Sequence, residues 1–177
     1  MTRTETAILA GAMAFGLVAA LAVADPAPAT FSGNAVAVDG DTIRVGSLRV
    51  RLWGVDAPES AQACFRAAPA SGAQRASMGI SWPCGQHATA VMQQMLARDP
   101  VVTCQARATD RYGRTVAVCR NKDGDMGARL VAQGFAVAYR RYSTAYADQE
   151  EAAKAEKLGI WSGTFTMPEI WRQQHRR

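Results

Sequence analysis

Residues 43–52 read IRVGSLRVRL, two runs of alternating apolar and basic residues separated by a Gly-Ser pair. Alternation with a period of two predicts two half-buried strands. The Gly-Ser pair predicts a two-residue turn, which sets Val45 opposite Leu48. In this register Asp41 lies opposite Leu52. The stretch therefore predicts an antiparallel hairpin with an acidic residue at its open end.

The rest of the pattern predicts a small barrel with helices packed on it. The predicted strands cover residues 31–38, 43–45, 48–52, 101–107 and 114–120. The predicted helices start just after Gly85, at a cap formed by Asp125, and at about Thr144; the second stops at Gly134 and the third at Leu158. Residues 60–83 show no periodicity and are predicted to form a long surface loop. Five short strands with a helix between the third and fourth predict an α+β fold, a five-stranded OB-fold barrel with about three packed helices.

Composition favours a globular protein with a polyanionic partner. The chain has 177 residues, of which 49% are hydrophobic, enough for one domain with a core. Twenty Lys and Arg against 15 Asp and Glu give a net charge of +5. Arg outnumbers Lys 17 to 3, which suits bidentate phosphate contacts, although a codon bias toward Arg would give the same ratio. The motifs of serine hydrolases, zincins and dinucleotide-binding enzymes are missing from the sequence.

The first 24 residues are predicted to direct export. Arg3 precedes an uncharged apolar run from Ala7 to Ala24, which ends in the small-x-small sequence Ala-Val-Ala. These features are typical of a cleaved signal peptide, with an uncleaved membrane anchor as the alternative because the run is long. We expect a periplasmic or secreted protein, with a short linker at residues 25–30.

Cysteine usage agrees with export. An even number of cysteines in an exported chain implies disulfides. A tight turn in the middle of residues 110–113 sets Cys104 directly opposite Cys119, with Cβ atoms about 4.5–5.5 Å apart, close enough for a bridge. Cys64 and Cys84 then pair by default and close the loop. A metal site built from the four thiols is the alternative, but no Cys-x-x-Cys pair or Cys/His cluster is present.

The acidic residues predict a metal site. Between residues 26 and 98 the carboxylates fall only in residues 39–42 (Asp-Gly-Asp-Thr) and 56–59 (Asp-Ala-Pro-Glu). The register of the first hairpin brings both clusters to the same end of one sheet. Carboxylates and a backbone carbonyl form an oxygen-only site, which suits Ca²⁺ or Mg²⁺ rather than Zn²⁺. Taken alone, the first cluster is explained as a turn and the second as a turn or a helix start. Together, with Arg51 between them, they favour a metal site.

A third motif is the hairpin tip at residues 110–114, which reads Asp-Arg-Tyr-Gly-Arg. In isolation it is an ordinary exposed turn. Beside an acidic metal site, its arginine would offset charge on phosphoryl oxygens, and Tyr112 would pack on a base or sugar. The combination is what cleavage of a phosphodiester requires.

These motifs together resemble the staphylococcal nuclease (thermonuclease) family. They are, in order, VAVDGDTI at residues 36–43, RLWGVDAPE at 51–59, DRYGR at 110–114 and LGIW at 158–161. The match covers nearly all of residues 31–163, and residues 164–177 form a C-terminal tail beyond it. The resemblance implies an OB-fold barrel and Ca²⁺-dependent hydrolysis of DNA and RNA, which leaves 3′-phosphate and 5′-hydroxyl ends.

The resemblance also implies a metal site in this chain. Asp41 and Asp56 match the calcium carboxylates, and Ala57 would supply its main-chain carbonyl. Asp39 would orient these ligands or a metal-bound water. Glu59 matches the general base that activates the attacking water.

Substrate contacts are implied in the same way. Arg51 and Arg114 match the two arginines that bind the phosphate and stabilise its transition state. Tyr112 and Tyr139 resemble the aromatic residues of the nucleotide pocket, and Arg111 lies beside them in the motif. Tyr139 matches only across a one-residue gap, so Tyr142 is an alternative.

The family resemblance leaves one rival function. Some relatives of this domain are OB-fold modules that bind nucleic acid or protein without turnover. A binding module does not need both carboxylates, the base and both arginines, so their joint presence favours an enzyme. We expect a monomer that acts on DNA or RNA, with no obligate protein partner and with membrane contact only if the N-terminal segment is retained.

Overall fold

The computed structural model of the protein describes residues 28–66 and 79–175. The predicted export segment lies outside these ranges, as do residues 67–78 of the predicted loop. In the part of the chain that the structure describes, no helix is long and apolar enough to cross a membrane.

Strands and helices follow one another in an order close to the predicted one. The strands are β1 (Thr30–Ala37), β2 (Thr42–Val45), β3 (Leu48–Leu52), β4 (Val55–Asp56), β5 (Cys64–Arg66), β6 (Ile80–Trp82), β7 (Val101–Thr109), β8 (Thr115–Asn121), β9 (Gly124–Asp125), β10 (Val137–Ala138) and β11 (Gly163–Thr164). The helices are α1 (Cys84–Arg98), α2 (Met126–Ala132), α3 (Ala147–Ala155) and α4 (Pro168–Gln174), and a 3₁₀ turn spans Gly159–Ser162.

Five strands close the predicted barrel, which confirms the OB-type fold. The sheet order is β3-β2-β1-β7-β8-β9, and a parallel pairing of β3 with β8 closes the circle. Val45 lies opposite Leu48, as the turn between them predicted. The closing pair sets Val50 beside Thr115. Closure brings the first hairpin against the second, so the motifs on both hairpins share one end of the barrel.

Alternating residues of these strands fill the barrel. Ile43 and Val50 are fully buried, while Arg44 and Arg49 face solvent. Helix α1 covers one end with its apolar side, where Met92 is completely buried. The alternation that predicted the strands is therefore the alternation between core and solvent.

The second hairpin confirms the Cys104–Cys119 disulfide but not the predicted turn. Cys104 and Cys119 are register partners and are bonded. The predicted symmetric turn was wrong, because the pairing beyond Ala106 shifts by one residue at a bulge formed by Arg107. The bulge compensates for a longer tip, in which Asp110 N–H donates to the Arg114 carbonyl.

The segment at residues 60–83 is more ordered than a surface loop. Its ends form β5 and β6, which pair with each other, and β11 adds to the outer edge of β5. The predicted Cys64–Cys84 disulfide joins β5 to the start of α1, with a Cα–Cα distance of 5.6 Å. Cys64, Cys84 and Trp82 pack with Ile160 in a second hydrophobic cluster outside the barrel. Two three-residue strands were too short to produce a periodic signal in the sequence.

The predicted helices are present, with corrected ends, and a fourth was missed. Asp125 caps α2 as predicted, accepting a hydrogen bond from the Ala128 backbone at 3.0 Å. Helix α3 begins at Ala147 rather than at Thr144. It also ends earlier than predicted, because the backbone at Lys157 is left-handed, with φ of 54°. Helix α4 lies in the predicted tail, where its proline stands at the first turn. A proline in that position is a start signal that the sequence offered.

Candidate active site

The turn at residues 38–41 places Asp41 at the start of β2. Asp39 holds this turn, because its carboxylate accepts the Asp41 N–H at 3.0 Å. Burial raises the pKa of Asp39 above its usual value, and the neighbouring Asp41 carboxylate raises it further, by a smaller amount. Asp41 itself is 4% exposed, and its carboxylate accepts hydrogen bonds from the Thr42 hydroxyl and from the Ala57 N–H. The two acidic clusters are thus joined directly.

Asp56 lies in β4, which pairs with β10 so that Val137 is its register partner. Its side chain is only 1% exposed. Burial raises its pKa above the ordinary value, although Arg172 and Arg51 act in the opposite direction. A carboxylate this deep requires cations beside it.

Arg51 joins the two buried carboxylates. Its Nη1 lies 2.6 Å from Asp41 Oδ1 and its Nη2 lies 2.8 Å from Asp56 Oδ1. Burial lowers the pKa of this guanidinium, but the two carboxylates outweigh burial and the pKa is raised. Arg51 therefore stays charged at the point where both predicted metal carboxylates meet.

Glu59 follows β4 and is held through its backbone. Its N–H donates to the Gln62 side chain at 3.2 Å, and its carbonyl accepts the Gln62 N–H at 2.7 Å. The glutamate side chain is 37% exposed, so it reaches solvent in the cleft. The start of α1 packs directly on this backbone: a Cβ at Gly85 would lie 1.7 Å from the Glu59 carbonyl oxygen.

Gly85→Ala is expected to lower stability by about 1–3 kcal/mol, the usual range for overpacking, although alanine is the better helix former. The methyl group forces the Glu59 segment away from α1, so nuclease activity is expected to fall as well. Urea unfolding monitored by circular dichroism measures the first effect. A variant as stable as the wild type would contradict the close contact.

Arg114 lies on the opposite side of the cleft, where the tip of the second hairpin joins β8. Its Nε donates to Asp110 at 2.7 Å and its Nη1 lies 3.4 Å from the Thr42 hydroxyl. Burial is the largest single influence on the pKa of Asp110 and raises it. Hydrogen bonds from Arg114 and Tyr112 together outweigh burial, so the pKa is lowered. The ring of Tyr112 is 68% exposed, with the Arg111 and Arg114 guanidinium groups over it.

Tyr139 and the alternative, Tyr142, lie in the same wall of the cleft. Their rings meet edge to face with centroids 4.9 Å apart. Tyr139 N–H donates to the Gly54 carbonyl at 2.8 Å. Burial, then Glu169 and Asp56, raise the pKa of Tyr139. Both rings line the cleft.

One cleft of about 960 Å³ contains this constellation. All predicted site residues except one line its walls: Asp39, Asp41, Arg51, Ala57, Glu59, Arg111, Tyr112, Arg114 and Tyr139. The exception is Asp56, which lies beneath the surface of the cleft. Helix α4 supplies a further wall with Glu169, Trp171 and Arg172, and His175 follows directly after it.

Arg172 is the site residue that sequence reasoning missed. Its guanidinium lies 2.8 and 2.9 Å from the two oxygens of Asp56 and 2.9 Å from Glu59 Oε1. Burial lowers its pKa, but Asp56 and Glu59 outweigh burial and raise it. The pairing spans 116 residues, so no local pattern pointed to it.

The carboxylate oxygens of Asp41 and Asp56 are suitable ligands for a hard cation. Among the residues that the structure describes, no three His, Cys, Asp or Glu side chains are grouped as a metal site. Asp41 and Asp56 nevertheless offer buried carboxylate oxygens, the donor type that Ca²⁺ prefers. The two carboxylates already attract a cationic group to the space between them, in the form of Arg51.

Comparison with known proteins shows which family the chain resembles. Residues 49–163 match the family described as staphylococcal nuclease homologue. The chain is 33% identical over 131 residues to the succinoglycan biosynthesis protein ExoI of Rhizobium meliloti (strain 1021), across 73% of this chain and 63% of that protein. It is 31% identical over 184 residues to a micrococcal nuclease of Shigella flexneri, across 93% of this chain and 94% of that protein. It is 29% identical over 146 residues to an uncharacterized endonuclease of Haemophilus influenzae, across 78% and 70%.

A closed OB barrel with acids and arginines in one cleft, together with these relatives, defines a nuclease, and that prediction is confirmed. The chain belongs to the staphylococcal nuclease homologue family. Helix α4 lies beyond the matched residues, so Arg172 comes from outside the part that the family profile covers.

Proposed function

We propose that the protein is a Ca²⁺-dependent phosphodiesterase that hydrolyses DNA or RNA and leaves 3′-phosphate and 5′-hydroxyl ends. One observation carries the proposal: Asp41 and Asp56, from separate acidic clusters, lie buried on either side of Arg51, with Glu59 exposed beside them. The nuclease and endonuclease names of the relatives support the same activity.

Asp41, Asp56 and the Ala57 carbonyl would hold the calcium ion. When bound, the ion polarises a phosphoryl oxygen and offsets the charge that builds on it during attack. Asp39 fixes the turn that carries Asp41 and so sets the direction of that carboxylate. The buried position of both carboxylates limits competition from water for their oxygens.

The remaining site residues have separate roles toward the substrate. Glu59 takes a proton from the attacking water, since its carboxylate reaches the cleft while its backbone is fixed. Arg51 and Arg114 donate to the phosphate and stabilise its transition state. Tyr112, with Arg111 beside it, and Tyr139 offer faces on which bases stack.

We also propose that the protein acts outside the cytoplasm, by export through its N-terminal 24 residues. The two disulfides support this, because such bridges persist in oxidising compartments. An alkaline phosphatase fusion to residues 1–30 would test export directly, and an inactive fusion would contradict it.

Asp41→Asn tests the calcium site. We expect wild-type protein to release acid-soluble nucleotides from denatured DNA or RNA only with Ca²⁺ and to lose activity with chelator. Asp41→Asn is expected to lose at least about 10²-fold at any Ca²⁺ concentration, because it removes a charged ligand. Asp148→Asn, on the exposed side of α3, is the matched control and should behave as wild type.

The products identify the bond that is cleaved. Oligonucleotides with 3′-phosphate ends should resist 3′-exonuclease digestion until a phosphatase is added. Activity that is unchanged by chelator would contradict the calcium proposal. A folded protein that binds nucleic acid without hydrolysing it would favour the binding module instead.

A further inference from the structure

The C-terminal segment is fixed against the active-site cleft by several contacts. Strand β11 pairs with β5, so that Thr164 is opposite Phe65. The buried Gln62 side chain donates to the Thr166 carbonyl at 2.6 Å. Arg141 forms an ion pair with Glu169 at 3.3 Å. These contacts carry α4 to the mouth of the cleft.

Gln62 joins this segment to the proposed base. Its Oε1 accepts the Glu59 N–H, while its Nε2 holds the Thr166 carbonyl. The backbone of Glu59 and the segment just before α4 are therefore fixed to the same side chain. None of these anchors involves Arg172, so its side chain can leave the carboxylates while α4 stays in place.

Arg172 occupies both oxygens of Asp56. Oδ1 accepts from Arg51 and Arg172, and Oδ2 accepts from Arg172. The same guanidinium also contacts Glu59. A carboxylate oxygen directed at two guanidinium groups has little capacity left for a metal ion. A cation that binds Asp56 must therefore displace Arg172.

We propose that Arg172 is a positioning residue that competes with the divalent cation for Asp56 and so sets the cation concentration at which the nuclease works. The inference rests on the calcium site proposed above. Without cation, Arg172 neutralises Asp56 and holds Glu59 Oε1 in an ion pair. With cation, the guanidinium is released from Asp56 and Glu59 is freed.

The test is calcium binding to the full chain without nucleic acid, measured by isothermal titration calorimetry after chelator treatment. Arg172→Gln is expected to bind Ca²⁺ about 10-fold more tightly than wild type, because a bidentate charged competitor is removed. Arg172→Lys, which keeps the charge but not the fork, should fall between the two. A purely structural role for Arg172 would weaken binding instead.

Arg49→Gln is the matched control. It removes an arginine from the same cleft, but its side chain lies on the exposed face of β3 and has no contact with Asp56 or Glu59 among the described residues. Its Kd for Ca²⁺ should change much less than that of Arg172→Gln. An equal gain of calcium affinity in both variants would overturn the proposed competition. The loss of one positive charge from the cleft would then explain the effect.

Two further outcomes separate this inference from the proposed function. Equal calcium affinity in wild type and Arg172→Gln would overturn the competition and leave the calcium site intact. No calcium binding in either protein, at concentrations up to millimolar, would overturn the calcium site and the competition with it.

Discussion

Glu59→Gln is expected to reduce hydrolysis by about 10²–10⁴-fold, the range for loss of a general base. The amide has the same shape as the carboxylate but cannot take a proton from water. The backbone contacts of Glu59 with Gln62 do not depend on the side chain, so the fold should be retained. Single-turnover cleavage of a labelled oligonucleotide in saturating Ca²⁺ measures the effect on the chemical step.

Two comparisons make the Glu59 result specific. Asp148→Asn removes a carboxylate from the exposed side of α3 and should leave the rate near that of wild type. Calcium affinity of Glu59→Gln should stay near that of wild type if the residue is a base rather than a main ligand. A rate within a few-fold of wild type would exclude Glu59 as the base.

Arg51→Gln is expected to destabilise the protein by about 3 kcal/mol, at the lower end for breaking a buried ion pair. The substitution leaves Asp41, 5% exposed at its side chain, without its guanidinium partner. Asp56 keeps Arg172, which is why the lower end applies. Activity should fall by about 10²–10³-fold as well, because the contact proposed between this arginine and the phosphate is lost. Urea unfolding in chelator measures the stability.

Calcium and a conservative variant separate the two roles of Arg51. Added Ca²⁺ should restore part of the lost stability by supplying positive charge to the carboxylates, but it should not restore the rate. Arg51→Lys keeps the charge, but its single ammonium group cannot bind two carboxylates as the forked guanidinium does. The stability of Arg51→Lys should therefore lie between those of the wild type and Arg51→Gln. Unfolding midpoints of Arg51→Gln equal to wild type in chelator would contradict the buried pair.

The barrel could be predicted because its signals are local. Alternation in residues 43–52 fixes both the strands and their inner face, and the turn at their middle fixes the register. Asp41 could be placed near Asp56 because that register needs only a short hairpin. The Cys104–Cys119 pair was found in the same way, although the bulge shows that the turn assumed for it was one residue too short.

The parts that were missed depend on contacts between distant segments. Strands β5 and β6 are three residues each and gain their order from a disulfide, from β11 and from packing on Ile160. Helix α4 has seven residues and no long apolar stripe. Arg172 reaches Asp56 only because the chain returns to β5 first. Pairings of this kind follow from the completed fold and have no local pattern in sequence.

The bulge at Arg107 restricts how the second hairpin can change in length during evolution. A one-residue shift turns side chains to the opposite face of a strand, and the bulge supplies one such shift between Cys104 and Asp110. A single insertion or deletion in either arm would separate Cys104 from Cys119 or turn Asp110 away from Arg114. Homologous hairpins that keep both pairs should therefore differ by even numbers of residues, unless a bulge is gained or lost with the change.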